Sequence, residues 1–167
     1  MSLLVVLVRH GMAEPATEEV TDEFRMLTND GREALRESFS QTFSTLRVPD
    51  RTEAWISPAQ RARETGHLVM SATGCNLSNL NRPLYEQNID ELLRSLSQTD
   101  NECTIVVGHI PSLERVCERL CGEKFHFYPG AVCAIEIPDE ARRVIADARR
   151  PVGKLITFVQ GPLAEAC

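Results

Sequence analysis

The sequence lacks the long apolar stretches that a membrane-spanning helix requires, since none of its hydrophobic runs approaches about 20 residues. Its first apolar run, residues 3–8, is too short for the core of a signal peptide, and no basic segment precedes it. Positive charge is not in excess either: the formal net charge is −6, which disfavours nonspecific binding to nucleic acid. These absences predict a cytoplasmic protein that contacts neither a membrane nor nucleic acid.

Metal-binding cysteine patterns are absent as well. The six cysteines include no C-x-x-C pair, and no group of cysteine and histidine has the spacing of a zinc site. Cys103, Cys117, Cys121 and Cys133 fall within apolar periodic segments, so we expect them to be buried free thiols. A disulfide framework would be unusual in a cytosolic chain of this length.

Three short apolar segments predict buried strands: residues 3–8, 53–56 and 103–108. Apolar residues at helical spacing follow each segment, and this alternation predicts a mostly parallel sheet with helices on both faces, a three-layer α/β/α sandwich. Two later strands, residues 131–137 and 154–160, are expected as an edge strand or hairpin of that sheet. No repeat, low-complexity tract or linker is found, so residues 1–167 are interpreted as one domain.

Capping residues predict where several helices begin. Asp30 is the expected N-cap of the first helix, Ser57 that of the second and Asn88 that of a later one. The polar stretch 76–84 is expected to be a loop, with a short strand near Leu84.

Residues suited to phosphate chemistry follow all three predicted parallel strands. Arg9 and His10 follow the first strand, Arg61 lies one turn into the helix after the second, and His109 follows the third. Because the carboxyl ends of parallel strands share one edge of a sheet, these side chains should lie close together. Arginine forks and helix N-termini bind phosphate oxygens, and Gly11 lets the backbone approach an anion. The pattern predicts a phosphoryl-binding site in which a histidine fixed on the sheet is the nucleophile.

Two other features bear on the mouth of this site. The acidic, irregular residues 14–25 are predicted to form a surface loop over it. His126, between two phenylalanines, either lines the mouth or lies elsewhere on the surface, whereas His67 is expected mid-helix and away from the site.

Four sequence blocks resemble the histidine phosphatase superfamily, also called phosphoglycerate mutase-like. They are Arg9-His10-Gly11 after a strand, L-T-x-x-G at residues 27–31, S-P-x-x-R-A-x-x-T at residues 57–65, and V-G-H at residues 107–109. The resemblance spans the chain and is firmest from residue 3 to residue 120. The short length and the early Leu-Thr block are most similar to the SixA-type phosphohistidine phosphatases. Longer members of the superfamily carry an inserted lid, which we do not expect in this chain.

The resemblance implies a mechanism and a set of roles. His10 would attack phosphorus and become transiently phosphorylated, and water would then release phosphate. Arg9, Arg61 and His109 would surround the phosphoryl oxygens and stabilise the transition state. The resemblance implies no metal or cofactor, because the side chains supply the positive charge.

A general acid is the one family role without a clear match. Most members protonate the leaving group with a carboxylate, which in one branch directly follows the second histidine, but Ile110 stands there. Glu86 is the candidate by position and Glu14 is a second, although either could equally be a surface carboxylate.

The missing acid favours one class of substrate. An imidazole leaving group, with a free pKa near ~6.5, needs an acid less than an alkoxide does. We therefore expect a phosphorylated substrate that is a phosphohistidine, including one borne by a protein. The alternatives are a small-molecule phosphomonoesterase on the same fold and a phosphoryl-binding module without turnover.

Overall fold

A computed structural model describes residues 1–163, which form a mixed six-stranded sheet with helices on both faces. The strands are β1 (Leu3–Arg9), β2 (Thr52–Ile56), β3 (Ser78–Leu80), β4 (Cys103–Gly108), β5 (Val132–Ile137) and β6 (Lys154–Val159). The α-helices are α1 (Asn29–Thr45), α2 (Gln60–Thr73), α3 (Arg82–Tyr85), α4 (Ile89–Gln98) and α5 (Ser112–Cys121). Two 3-10 helices span Asp22–Phe24 and Asp139–Val144.

The sheet confirms the predicted α/β architecture. Its strand order is β3-β2-β4-β1-β5-β6, in which β3, β2, β4 and β1 are parallel. Strand β5 pairs antiparallel with β1, and β6 pairs antiparallel with β5, so the C-terminal edge is an antiparallel pair. The carboxyl ends of β1, β2 and β4 therefore lie next to one another.

Residues 3–8 of strand β1 are all apolar, which suits a strand whose two faces are both covered. Leu3, Val5 and Leu7 pack in a cluster with apolar residues of α4 and α5. Val6 and Val8 pack on the other face, with apolar residues of α1 and α2. This burial fixes the end of β1 rigidly in the sheet.

Two predicted helix caps are wrong. Thr28, not Asp30, caps α1, because its Oγ1 accepts a hydrogen bond from the Gly31 amide at 2.8 Å. Helix α2 begins at Gln60, so Ala59 and not Ser57 is its N-cap. The hydroxyl of Ser57 instead contacts His109. The prediction for Asn88 is confirmed, since its side chain accepts from the Glu91 amide.

The strand expected near Leu84 is also wrong. Leu84 is a buried residue of the short helix α3, and the strand β3 lies earlier, parallel to β2. Asn79 and Glu53 hydrogen-bond across this strand pair. Residues 78–80 are all exposed and only Leu80 is apolar, so a hydrophobicity pattern does not reveal this edge strand.

The thiols of Cys103, Cys117 and Cys133 are free and buried as expected, whereas Cys121 is only half-buried because it lies at the end of α5. Cys167 lies outside the described residues. Within residues 1–163, no helix combines the length and the apolar character needed to cross a membrane.

Candidate active site

A pocket of about 420 Å³ opens at the carboxyl ends of β1, β2 and β4. It is lined by Arg9, His10, Asp22, Arg61, Tyr85, Gln87, His109 and Ile110. The structure thus brings together the two histidines and two arginines that the sequence placed at three separate strand ends.

His10 lies at the end of β1 and is almost completely buried. Its Nδ1 lies 2.7 Å from the carbonyl oxygen of Gly11. Because a carbonyl can only accept, Nδ1 must carry the proton, which leaves Nε2 unprotonated and able to accept a hydrogen bond. Nε of Arg61 lies 3.4 Å from that Nε2 atom. The backbone therefore selects the tautomer whose nucleophilic nitrogen lies beside an arginine.

The second histidine, His109, is positioned by a serine. Its Nε2 lies 2.8 Å from Oγ of Ser57, and its Nδ1 lies 3.5 Å from an Nη atom of Arg61. Since the guanidinium can only donate, Nδ1 accepts and Nε2–H donates to Ser57. The rings of His10 and His109 are 5.1 Å apart between centroids. Ser57 is thus a positioning residue, a role that the sequence analysis did not assign to it.

Both imidazoles are held neutral by their surroundings. Burial lowers the pKa of His10 to about 3, and the charges of Arg61 and Arg9 act in the same direction. Burial also lowers the pKa of His109 to about 4, with a further contribution from the Arg61 charge. A neutral imidazole is the form that can attack phosphorus, and burial keeps His10 in that form at neutral pH.

Arg61 connects the groups of the pocket. It is the second residue of α2, and its side chain leans back toward the helix N-terminus and the sheet edge. Besides both histidines, the guanidinium contacts the carbonyl oxygen of Asp22 at 2.7 Å and the carboxylate of Asp22 at 3.2 Å. Arg9 lines the same pocket, and its Nη1 donates to the carbonyl of Phe127 at 2.7 Å.

Gly11 supports the site differently from the sequence expectation. Its amide donates to Oγ1 of Thr65 at 3.0 Å instead of facing the pocket, and its carbonyl orients His10. A Cβ atom at this position would lie 2.5 Å from Cδ1 of Leu35 on α1. Any side chain at position 11 would therefore force Leu35 to move.

The structure does not bring the predicted acid, Glu86, into the pocket. Its side chain is 59% exposed and pairs with Arg82, although its neighbours Tyr85 and Gln87 both line the pocket. Successive residues at a helix end point in different directions, which separates Glu86 from its neighbours. His126 is likewise outside the pocket, exposed and paired with Glu114.

Asp22 is the pocket residue that the sequence did not single out. It lies in the acidic loop predicted to cover the mouth, and its carboxylate accepts from Tyr85 at 2.7 Å and from Arg25 at 3.1 Å. The Tyr85 hydrogen bond, followed by those of Arg25 and Arg61, lowers the pKa of Asp22 to about 2. Nothing in the sequence distinguishes Asp22 from the other carboxylates of residues 14–25.

Comparison with known proteins identifies the fold class. No protein-family model matches the sequence, and no curated protein matches it. The solved structure of the protein histidine phosphatase SixA complexed with tungstate is 20% identical, with a TM-score of 0.74 over 95% of this chain and 97% of that one. SixA from Nakamurella multipartitia is 24% identical, with a TM-score of 0.75 over 96% and 97% of the two chains.

More distant enzymes share the same architecture. Phosphoglycerate mutase from Plasmodium falciparum is 14% identical, with a TM-score of 0.62 over 95% of this chain and 91% of that one. The chain therefore has the fold of the histidine phosphatases, the phosphoglycerate mutase-like class. Within that class, the two SixA structures superpose on it with higher TM-scores than the mutase does.

Proposed function

We propose that this protein is a phosphatase that removes the phosphoryl group from phosphohistidine, through an intermediate in which His10 itself is phosphorylated. The observation that carries the proposal is the state of His10: a buried, neutral imidazole whose unprotonated Nε2 lies 3.4 Å from Arg61. The similarity in fold to the SixA structure, whose description is protein histidine phosphatase, supports the same class of substrate.

In the first step, Nε2 of His10 attacks phosphorus, and the bond from phosphorus to the leaving nitrogen breaks. The electron pair of that bond goes to the departing imidazole, which leaves neutral if its other nitrogen already carries a proton. As His10 forms its new bond, its ring becomes more positive, and the Gly11 carbonyl stabilises the N–H at Nδ1. Arg9 and Arg61 donate to the transferring oxygens and stabilise their charge, and neutral His109, whose Nδ1 accepts from Arg61, positions that guanidinium.

In the second step, water attacks the phosphorus of phosphorylated His10. The bond between phosphorus and Nε2 breaks, inorganic phosphate leaves, and the neutral imidazole is restored. The same donors stabilise both transition states, because the phosphoryl oxygens stay beside Arg61 throughout.

The nature of the pocket-lining groups favours a nitrogen leaving group. Among the described residues that line the pocket, Asp22 is the only one with a carboxylate. Its pKa of about 2 means that it carries no proton to donate at neutral pH. His109 is neutral and uses its remaining proton to contact Ser57. An alkoxide would thus leave without assistance, whereas an imidazole is a far weaker base.

The decisive experiment combines phosphoenzyme trapping with a substrate panel. A phosphohistidine peptide, a sugar phosphate and a nucleotide monophosphate are each mixed with wild-type protein and quenched under alkaline conditions. We expect an acid-labile phosphoenzyme and the fastest turnover with the phosphohistidine peptide, and neither signal with His10→Ala. His67→Ala, which changes an exposed histidine of α2, is the matched control and should behave as wild type.

The same panel separates the two alternatives. Much faster turnover of a phosphate ester would identify a small-molecule phosphomonoesterase and contradict the substrate proposal. Phosphate binding without any phosphoenzyme would identify a phosphoryl-binding module and contradict the catalytic proposal.

A further inference from the structure

A second, larger cavity lies beside the phosphate pocket. Its volume is about 750 Å³, against about 420 Å³ for the pocket, and Gln87 lines both. One wall comes from α5, another from the start of α4, and a third from the segment before β6. A phosphoryl group fills only a small pocket, so a groove of this size next to it has room for the atoms attached to that group.

Four exposed arginines line this groove: Arg115, Arg119, Arg149 and Arg150. Within residues 1–163, none of their side chains makes a hydrogen bond or an ion pair. Other exposed arginines do have partners, for example Arg94 with Glu91 and Arg143 with Asp100. Arg47 and Arg63 are also exposed without such a partner, so four of the six unpaired exposed arginines within residues 1–163 line this groove, in a chain whose net charge is −6.

The two carboxylates of the groove do not neutralise this charge. Glu118 is paired with Lys124 at 3.6 Å, and Asp90 lies in the first turn of α4. The groove is left with an excess of positive charge and with guanidinium forks that fit carboxylates in a bidentate manner. Its complement is a segment rich in aspartate and glutamate.

Gln87 connects the groove to the site of chemistry. Its backbone lies in the left-handed region, with φ of 57°, and its Oε1 accepts from the Ser112 amide at 3.0 Å. The side chain is thereby tied to the start of α5 on the boundary between the two cavities. A polypeptide whose phosphorylated side chain enters the pocket past Gln87 would place its neighbouring residues against α5.

We propose that this arginine groove binds an acidic segment that flanks the phosphorylated residue of a protein substrate. The identity of the phosphorylated residue rests on the proposed function, whereas the binding of the acidic segment does not. The arginines would select the substrate and speed its association, and they would leave the chemistry at His10 unchanged.

The test compares two double variants with the same change in charge. Arg115→Glu with Arg119→Glu reverses the α5 side of the groove. Arg47→Glu with Arg63→Glu is the control, in which two exposed arginines on the opposite face of the sheet change charge. Arg47 follows the end of α1, and Arg63 is a residue of α2. All four residues are exposed, and a thermal melt of each variant verifies folding.

Two readouts are measured for each variant. The first is the kcat/KM for phosphohistidine peptides with acidic or with neutral flanks, beside a small phosphoramidate. The second is the binding of the unphosphorylated acidic peptide by fluorescence anisotropy. For the acidic peptide alone, we expect the groove variant to lose roughly tenfold in kcat/KM and roughly tenfold in affinity. The affinity of the wild-type protein for this peptide should fall steeply as the salt concentration rises. The control variant and the phosphoramidate rate should change less than about twofold.

Each outcome decides the proposal. Equal affinity of the groove variant and wild type for the acidic peptide overturns it, as does equal use of acidic and neutral phosphopeptides. Tighter binding of a single-stranded oligonucleotide of matched charge also overturns it, in favour of nucleic acid. If the acidic peptide binds through the groove while no phosphohistidine is hydrolysed, the proposed function fails and the docking surface stands.

Discussion

The carboxylate of Asp22 lies 3.2 Å from Nη2 of Arg61, so the guanidinium at the centre of the pocket already faces an anion from its own chain. The backbone carbonyl of Asp22 accepts a hydrogen bond from Nη1 of the same arginine, and the Tyr85 hydroxyl donates to the Asp22 carboxylate. A phosphoryl dianion that enters this pocket must displace Asp22 or lie beside a like charge. We therefore expect Asp22 to lower the affinity of the pocket for a phosphoryl group.

Asp22→Asn should therefore bind inorganic phosphate or tungstate more tightly than wild type. The change preserves the side-chain shape and removes its charge. We expect a gain of a few fold to about tenfold, since Asp22 is half exposed and its repulsion is screened by water. Isothermal titration measures the affinity, and Glu19→Gln in the same loop is the control for net charge. Unchanged affinity in Asp22→Asn would show that the contact has no influence on anion binding.

The neutral state of the two histidines can be observed directly. Because burial lowers the pKa of His10 to about 3 and that of His109 to about 4, neither ring should titrate near 6.5 in the free protein. Ring signals in NMR spectra, recorded over an acid titration, would report both values and the Nδ1–H tautomer of His10. A His10 signal that titrates near 6.5 would contradict the proposed origin of its nucleophilicity.

The same shifts predict how the free energy of unfolding depends on pH. In the unfolded chain both histidines take up protons as the pH falls through about 6.5. In the folded protein His109 stays neutral down to about pH 4 and His10 down to about pH 3. Their contribution to stability is thus complete above pH 6.5 and is lost progressively as the pH falls toward the folded-state values. Urea unfolding over this range should show a steep decline that His10→Asn reduces and His67→Asn does not.

Ser57→Ala should impair catalysis through the position of His109. The substitution leaves the buried Nε2–H of His109 without its acceptor. The folded protein either loses about 1–3 kcal/mol of stability or the His109 ring moves to find another partner. We expect kcat to fall more than KM rises, together with a changed His109 signal in NMR spectra. Ser57→Thr retains the hydroxyl and should recover part of the rate; equal loss in both variants would indicate a packing effect instead.

Arg61→Ala should reduce kcat/KM for a phosphohistidine peptide by roughly 10²–10³-fold or more, comparable to the loss of an oxyanion donor. Arg61→Lys should recover little, because a single ammonium cannot contact His10, His109 and the phosphoryl oxygens together. Arg63→Ala, an exposed arginine on the same helix, is the control and should leave the rate near wild type. Activity of Arg61→Ala within a few fold of wild type would refute its role.

The helix caps illustrate where local patterns were insufficient. Thr28 and Asp30 are both acceptable N-caps by residue type. The choice is made by packing: the Thr28 amide donates to the carbonyl of Met12, and a Cβ at Gly31 would lie 2.6 Å from that same oxygen. Helix α1 must therefore start where glycine faces Met12, which no pattern within the helix reveals.

The sequence by itself determined the parallel part of the sheet and the residues at its edge that we propose bind a phosphoryl group. Apolar periodicity specifies buried strands, and parallel strands necessarily bring the residues after them, His10, Arg61 and His109, to one edge. Only the tertiary structure decided the partners of these residues: Gly11 selects the tautomer of His10, Ser57 orients His109, and Asp22 faces Arg61. Such contacts depend on distances of about 3 Å between residues remote in the chain, and residue type and spacing do not encode them.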